Sequence, residues 1–179
     1  MWLLVLGLIL VVIAVVSISW TYFRGAQWVP TTMGTVNRML ALAEVGSDDL
    51  VYDLGCGDGR IIVTAARRYG ARAVGIEIDP LRYLWCQLLI TVLGLRGQVK
   101  VVFGDFFGKD LSPADVVTCY LIQITNEKLE AKLMKDLRPG TRVVSNYFTF
   151  PGLMQVRESG DAKLYLCNLG STRSAEETT

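Results

Sequence analysis

The chain has 179 residues, enough for one domain of ordinary size with a real core. A net charge of +1 supplies no basic field for a nucleic acid. There is no histidine, so the commonest metal ligand and general base are missing, and Cys56, Cys86, Cys119 and Cys167 have no C-x-x-C spacing, so neither a zinc site nor a disulfide framework is signalled. The plain reading of these cysteines is buried small hydrophobes in a reducing compartment.

Met1 to Phe23 carries no charged side chain. Trp2 to Trp20, at ~1.5 Å per residue, makes about 28 Å of helix, enough to cross a bilayer core. Tryptophans at both ends, with Tyr22 and Phe23, suit interfacial anchors. A cleaved signal peptide is a rival, since Ser17-Ile18-Ser19 is a small-x-small site; against it, no Lys or Arg precedes the run, which is also long for a leader. A buried soluble helix is a third reading, opposed by the lack of any polar face. The expectation is an uncleaved single-pass membrane anchor over 1–23. A domain over 24–170 follows, placed in the cytoplasm by Arg24 and Arg38, and then a polar, disordered tail over 171–179.

Gly25 to Pro30 is a connector, and Trp28-Val29-Pro30-Thr31-Thr32 precedes an amphipathic run from Val36 to Ala43. That run predicts a helix with a Thr cap, covering a sheet edge. Leu50 to Leu54 reads as a buried parallel strand. Gly55-Cys56-Gly57-Asp58-Gly59 follows, then an apolar-rich helix from Ile61 to Tyr69. Strand, glycine turn and helix bring backbone N–H groups close to a ligand at a helix N-terminus. A pyrophosphate fingerprint would need G-x-G-x-x-G. Here the spacing is G-x-G-x-G with Asp53 ahead of it, and an acid at the strand end repels phosphate but suits an ammonium group.

Val74 to Asp79 is a second apolar strand ending in acids, with Glu77 at a spacing that suits the hydroxyls of a ribose. Leu81 to Leu93 predicts a helix, with Leu81, Leu84, Trp85, Leu88, Leu89 and Val92 at helical spacing and Trp85 in the core. Gln98 to Phe103 is a third strand, followed by Asp105 and Phe106, an acceptor and a ring face that suit an adenine. Ala114 to Leu121 reads as strand four, and Thr125 to Leu137 as a helix capped by Thr125. Thr141 to Asn146 is strand five. Leu153 to Arg157 and Lys163 to Asn168 form a closing antiparallel pair, reached through a gap too short for a full helix.

Three strand ends, each with an acid, match the ammonium, ribose and adenine of S-adenosylmethionine. From about Gly25 to Gly170 the chain resembles the class I, seven-strand S-adenosylmethionine-dependent methyltransferases. The resemblance implies a Rossmann-like α/β fold, doubly wound and mostly parallel, with antiparallel strands at its C-terminal end. The cofactor contacts it implies are Asp53, Gly55, Gly57, Gly59, Glu77, Asp105 and Phe106. In that fold the end of strand four, here Cys119-Tyr120-Leu121, faces the transferred methyl, which adds Cys119 and Tyr120.

The Trp28-to-Thr32 loop and the segment Arg138 to Pro151 resemble the archaeal protein lysine methyltransferases and their membrane-anchored mitochondrial relatives, which modify the adenine nucleotide translocase and the ATP synthase c-subunit. In those proteins the loop closes over the methionine end, which implies a contact for Thr31. The later segment borders the substrate entrance, which makes Tyr147, Phe148 and Phe150 candidates for a hydrophobic lysine sleeve beside Tyr120. The resemblance implies N-methylation of a lysine in a membrane or membrane-associated protein, with no metal and no nucleic acid. A lipid or other small-molecule methyltransferase at the membrane, and an S-adenosylmethionine-binding module without turnover, are the alternatives.

Overall fold

The computed structural model describes residues 30–167 and, before them, residues 2, 4, 5, 7 and 8, which are helical. The rest of the expected anchor, Trp28 and Val29 of the loop, and the expected tail lie outside the described residues. Among the described residues no helix is long and apolar enough to cross a membrane.

Helix α1 (Met33–Leu42) starts at Thr32, whose hydroxyl accepts the Thr35 N–H at 3.2 Å. There follow β1 (Leu50–Leu54), α2 (Arg60–Tyr69), β2 (Arg72–Glu77), α3 (Pro80–Val92), β3 (Val99–Phe103), a short 3-10 turn (Phe106–Gly108), β4 (Val116–Cys119), α4 (Gln123–Asp136), β5 (Arg142–Asn146), β6 (Met154–Ser159) and β7 (Ala162–Leu166). They make one seven-stranded sheet in the order β3-β2-β1-β4-β5-β7-β6. The first five strands run parallel, and β7 pairs antiparallel with β5 and β6. No helix stands between β5 and β6, as the short gap predicts.

The strands are apolar on both faces because helices cover both. Val51, Ala73, Val116 and Val144 pack with Val36, Met39 and Leu40 of α1 and with Ile62 and Ala65 of α2. Leu54, Ile76, Val117 and Val143 pack on the other face with Leu129 and Leu133 of α4. All four cysteines are buried in this packing. Gly75, in the middle of β2, lets the glycine turn lie against the sheet. A Cβ there would stand 2.6 Å from Cys56 Sγ and 2.9 Å from Ile62 Cδ1. Gly75→Ala should therefore lower stability by about 1–3 kcal/mol, read as a fall in thermal midpoint; an unchanged midpoint would mean the turn has slack.

Two elements differ from expectation. Helix α4 starts at Gln123, two residues before Thr125, and its N-cap residue Ile122 makes no side-chain cap bond. The reason is tertiary: Gln123 Oε1 accepts the Thr149 N–H at 3.0 Å, tying the first turn to the segment after β5. Trp85 is not in the core. It is 52% exposed, as are Leu84, Leu88 and Val92 to similar or greater degree, while Cys86 and Ile90 bury the opposite face of α3. Strand β3 is the sheet edge, so α3 finds a narrow surface to cover and turns most of its apolar residues outward.

Candidate cofactor and substrate site

The strand order reverses between β1 and β4, and in open α/β sheets that is where a ligand crevice forms, outside the carboxyl ends of the strands. A cavity of about 230 Å³ lies there. Asp53, Gly55, Cys56, Gly57 and Asp58 line it from β1 and the turn, Ile76, Glu77 and Ile78 from β2, Asp105 and Phe106 from the segment after β3, and Tyr120 and Leu121 from the segment after β4.

The turn is held by backbone bonds. Gly55 and Cys56 both donate to the Ile76 carbonyl, at 2.9 and 3.1 Å. Gly57 has φ +58°, where a side chain would be strained, and donates its N–H to Glu77 Oε2 at 2.8 Å. Glu77 Oε1 accepts the Asp79 N–H at 2.8 Å. One carboxylate thus pins the turn to the end of β2. Two of its roughly four acceptor positions remain for a ligand. Burial holds its carboxyl above the usual carboxylate range, against the two backbone N–H bonds, which pull it down.

Asp53 is buried and accepts the Thr118 hydroxyl at 2.8 Å. Burial pushes its carboxyl up to about 7; the Thr118 bond opposes this, while the charges of Glu77 and Asp58 add to it. Two buried acids with raised values around one cavity are a site that a cation stabilises. Asp105 Oδ1 accepts the Phe107 N–H at 2.9 Å, which starts the 3-10 turn and leaves acceptor capacity on the carboxylate. The Phe106 ring stacks tilted on Phe107, with centroids 4.8 Å apart.

Thr31, Asp53, Gly55, Gly57, Glu77, Asp105, Phe106 and Tyr120, all expected from the sequence, border this one cavity. Three other expected residues lie elsewhere. Gly59 caps α2 with φ +84° and lies against Cys86. Cys119 is fully buried and packs on the α4 face of the sheet, because alternation along β4 turns it away from the Asp53 side. Tyr147 is 60% exposed with φ +68°, and its ring meets Phe148 edge-on at 5.1 Å. Phe148 in turn lies 6.4 Å from Tyr120, so the three rings form a row from the cavity to the surface. Phe150 is core, edge-on to Tyr165 at 5.5 Å.

Sequence reasoning missed Arg60, Arg82, Phe107, Ile122, Thr125 and Lys128, which also line the cavity. Arg60 has a visible signal in hindsight, standing directly after the last motif glycine. Its Nε donates to Asp58 Oδ1 at 2.8 Å and its Nη1 to the Thr31 carbonyl, so it joins the turn to the N-terminal loop. That pairing also holds the Asp58 carboxyl below the usual range.

Residues 53–157 match the profile of the ANTKMT methyltransferase domain. A protein-lysine N-methyltransferase of Saccharolobus islandicus is 47% identical over 133 residues, covering 74% of this chain and 83% of that protein. The human lysine N-methyltransferase of the ATP synthase c-subunit is 29% identical over 124 residues, covering 69% of this chain and 52% of that protein. This chain therefore spans about half the length of the human relative. Among solved structures, an RNA methyltransferase of Salinibacter ruber in complex with S-adenosyl-L-homocysteine is 42% identical, with TM-score 0.73 over 78% of this chain and 92% of that one.

Proposed function

The chain belongs to the ANTKMT methyltransferase domain family, and from that premise we propose that it transfers the methyl group of S-adenosylmethionine to the side-chain amine of a lysine in a protein. The observation that carries the reading is the set of acids at three successive strand ends, Asp53, Glu77 and Asp105, around one cavity whose fourth side is Tyr120. Asp53 takes the ammonium, Glu77 the ribose hydroxyls, and Asp105 with Phe106 the adenine. Gly55 and Gly57 give the cofactor close access to the backbone, and Thr31 closes the methionine end, held by Arg60. The cofactor supplies a methyl on a cationic sulfur.

The residues around the methyl's side of the cavity have one task, to present an uncharged amine. Neutralising a lysine at pH 7 costs ~4.6 kcal/mol. An apolar aromatic passage beside a cation lowers that cost by desolvation and like-charge repulsion. Tyr120, Phe148 and Tyr147 are such a passage, and aromatic faces also attract a methylammonium product. No imidazole is needed, since the proton can leave through water. In this reading Met1 to Phe23 crosses the bilayer once, the domain lies on the cytoplasmic side, and the tether raises the effective concentration of membrane-protein substrates.

The test is incubation of the purified chain with isotope-labelled S-adenosylmethionine and a membrane fraction, followed by separate counting of protein, lipid and RNA. Label in protein is expected. Label in lipid or RNA alone would overturn the reading, and tight cofactor binding with label in none would make the chain a binding module.

The pH dependence follows from Asp53. An ammonium pairs with the ionised carboxylate, so affinity should rise with pH, by up to about tenfold per unit, until pH passes about 7, and should fall again once the ligand's own α-amino group loses its proton at about pH 8. Thr118→Val removes the bond that favours ionisation, so it should move that midpoint upward. Titration calorimetry between pH 5.5 and pH 8.5 checks both (the range is roughly that over which the carboxyl changes charge); a flat profile would remove Asp53 from the ammonium site. Without ligand the folded chain keeps the Asp53 proton to higher pH than the unfolded chain does. This group's contribution to stability therefore falls as pH rises from the ordinary aspartate value, about 4, to about 7.

A further inference from the structure

Residues 147–149, between β5 and β6, form no helix or strand, yet each of their backbone polar groups is bonded. The Tyr147 N–H donates to the Asp161 carbonyl at 2.7 Å and the Phe148 N–H to the Asn146 carbonyl at 2.8 Å. The Thr149 N–H donates to Gln123 Oε1 at 3.0 Å. The three carbonyls accept from side chains: Tyr147 from Lys163 Nζ at 3.0 Å, Phe148 from the Ser145 hydroxyl at 2.7 Å, and Thr149 from Gln123 Nε2 at 3.3 Å. The bond from Phe148 to Asn146 closes a γ-turn on Tyr147, whose φ of +68° is one that a tyrosine rarely adopts. Such a turn is strained and persists only where its surroundings over-determine it. Here they do, and the turn fixes where the Tyr147 and Phe148 rings stand.

Behind the turn lies a buried chain of hydrogen bonds. Asn126, on α4 and wholly buried, donates from Nδ2 to Ser145 Oγ at 3.1 Å. That leaves the Ser145 hydroxyl hydrogen for the Phe148 carbonyl. Asn126 Oδ1 has no hydrogen-bond partner. A buried acceptor without a partner costs stability, so an apolar residue would serve packing better at this position. What Asn126 provides instead is the direction of the Ser145 hydroxyl. Gln123, one turn earlier on α4, holds the next residue of the segment from the same helix. Gln123, Asn126 and Ser145 do not themselves border the cavity. They reach it through Phe148, whose ring lies 6.4 Å from that of Tyr120.

We propose that Asn126, Ser145 and Gln123 are positioning residues for the accepting lysine. They hold the strained turn so that Phe148 stays against Tyr120, and the closed passage keeps water from the amine. The proposal rests on the reading of the chain as a lysine methyltransferase, and it assigns control of the lysine's proton affinity to a network outside the cavity. Desolvation beside a cationic sulfur favours the uncharged amine. A passage that loosens lets water stabilise the ammonium again, so the lysine then needs a higher pH to react. The charged groups around the passage are Lys163 and Asp161 from the turn and strand of β7, Glu127, Lys128 and Glu130 from α4, and Asp53 in the cavity.

The test compares the full chain with Ser145→Ala and, separately, with Gln123→Met; both variants leave those charged groups in place. Gln123 is part-buried in the first turn of α4, so its replacement spares the core. The substrate is the protein of a membrane fraction, saturating, with saturating labelled S-adenosylmethionine. The maximal rate of label transfer into protein is followed from about pH 6 to about pH 10, the span that ends near a free lysine. In both variants the rising limb should move up by roughly one pH unit. The rate at about pH 7 should fall roughly tenfold and recover toward the native value at high pH, with cofactor affinity within about twofold of native. A fall by one factor at every pH, with the limb unmoved, would make these residues merely structural and overturn the proposal, as would an unchanged rate. Cofactor affinity lost in step with the rate would overturn it by placing the network under the cofactor. If Ser145→Ala does not fold, the Gln123→Met profile decides alone. A native chain that labels no protein would overturn the lysine reading and the proposal together.

Discussion

Glu77→Gln lowers the affinity for S-adenosylmethionine by roughly 30-fold to 1000-fold. The Glu77 carboxylate receives two backbone N–H groups, from Gly57 and Asp79, both at 2.8 Å. An amide has one acceptor oxygen, so its NH₂ must face one of those N–H groups. A buried donor left unpaired costs about 1–3 kcal/mol, and a charge-assisted bond to the ribose is worth about 1.5–3 kcal/mol. Together these give about 2–4 kcal/mol in binding, allowing for their overlap, which is the stated range. Part of the loss reaches the unliganded chain, because the Gly57 tether holds the turn before any ligand arrives. Calorimetry with a parallel thermal melt separates the two. Unchanged affinity would take Glu77 out of the site, and a melt shifted with affinity intact would leave it a purely structural tether.

Tyr120→Ala should lower kcat by roughly 30-fold to 100-fold while the affinity for the cofactor changes little. Tyr120 is the member of the aromatic row that borders the cavity. Removing its ring admits water beside the amine, and about 2–3 kcal/mol of the ~4.6 kcal/mol needed to hold lysine neutral is forfeited. Tyr120→Phe keeps the wall and should keep most of the rate; a rate as low as that of the alanine variant would instead assign the work to the hydroxyl. Tyr147, more than half exposed at the outer end of the row, should act on KM more than on kcat when changed to Ala.

The cavity was legible because its chemistry sits at strand ends, where local signals are strongest. Asp53, the glycine turn and Glu77 follow runs of apolar residues that announce β1 and β2 directly. Arg82, Thr125 and Lys128 were not legible, because they lie in the first two turns of α3 and α4, and only the placement of those helix starts at the carboxyl ends of the strands brings them to the cavity. Cys119 illustrates the cost of reading a strand end as a unit: neighbouring residues point to opposite faces, and Tyr120 and Leu121 border the cavity while Cys119 does not. Helix α3 illustrates the limit of periodicity. The repeat from Leu81 to Val92 identifies an apolar face correctly, but the pattern is the same whether that face meets a core or a partner. The narrow edge position of β3 decides it, and that is a property of strand order.

The most direct measurement is peptide mass spectrometry of membrane proteins incubated with the chain and S-adenosylmethionine, with the Asp53→Asn variant as the paired control. The account predicts a methyl increment on the Nε of a lysine, present with the native chain and lost with the variant. Lysines unmodified in both samples, with the methyl recovered in lipid or RNA, would contradict it.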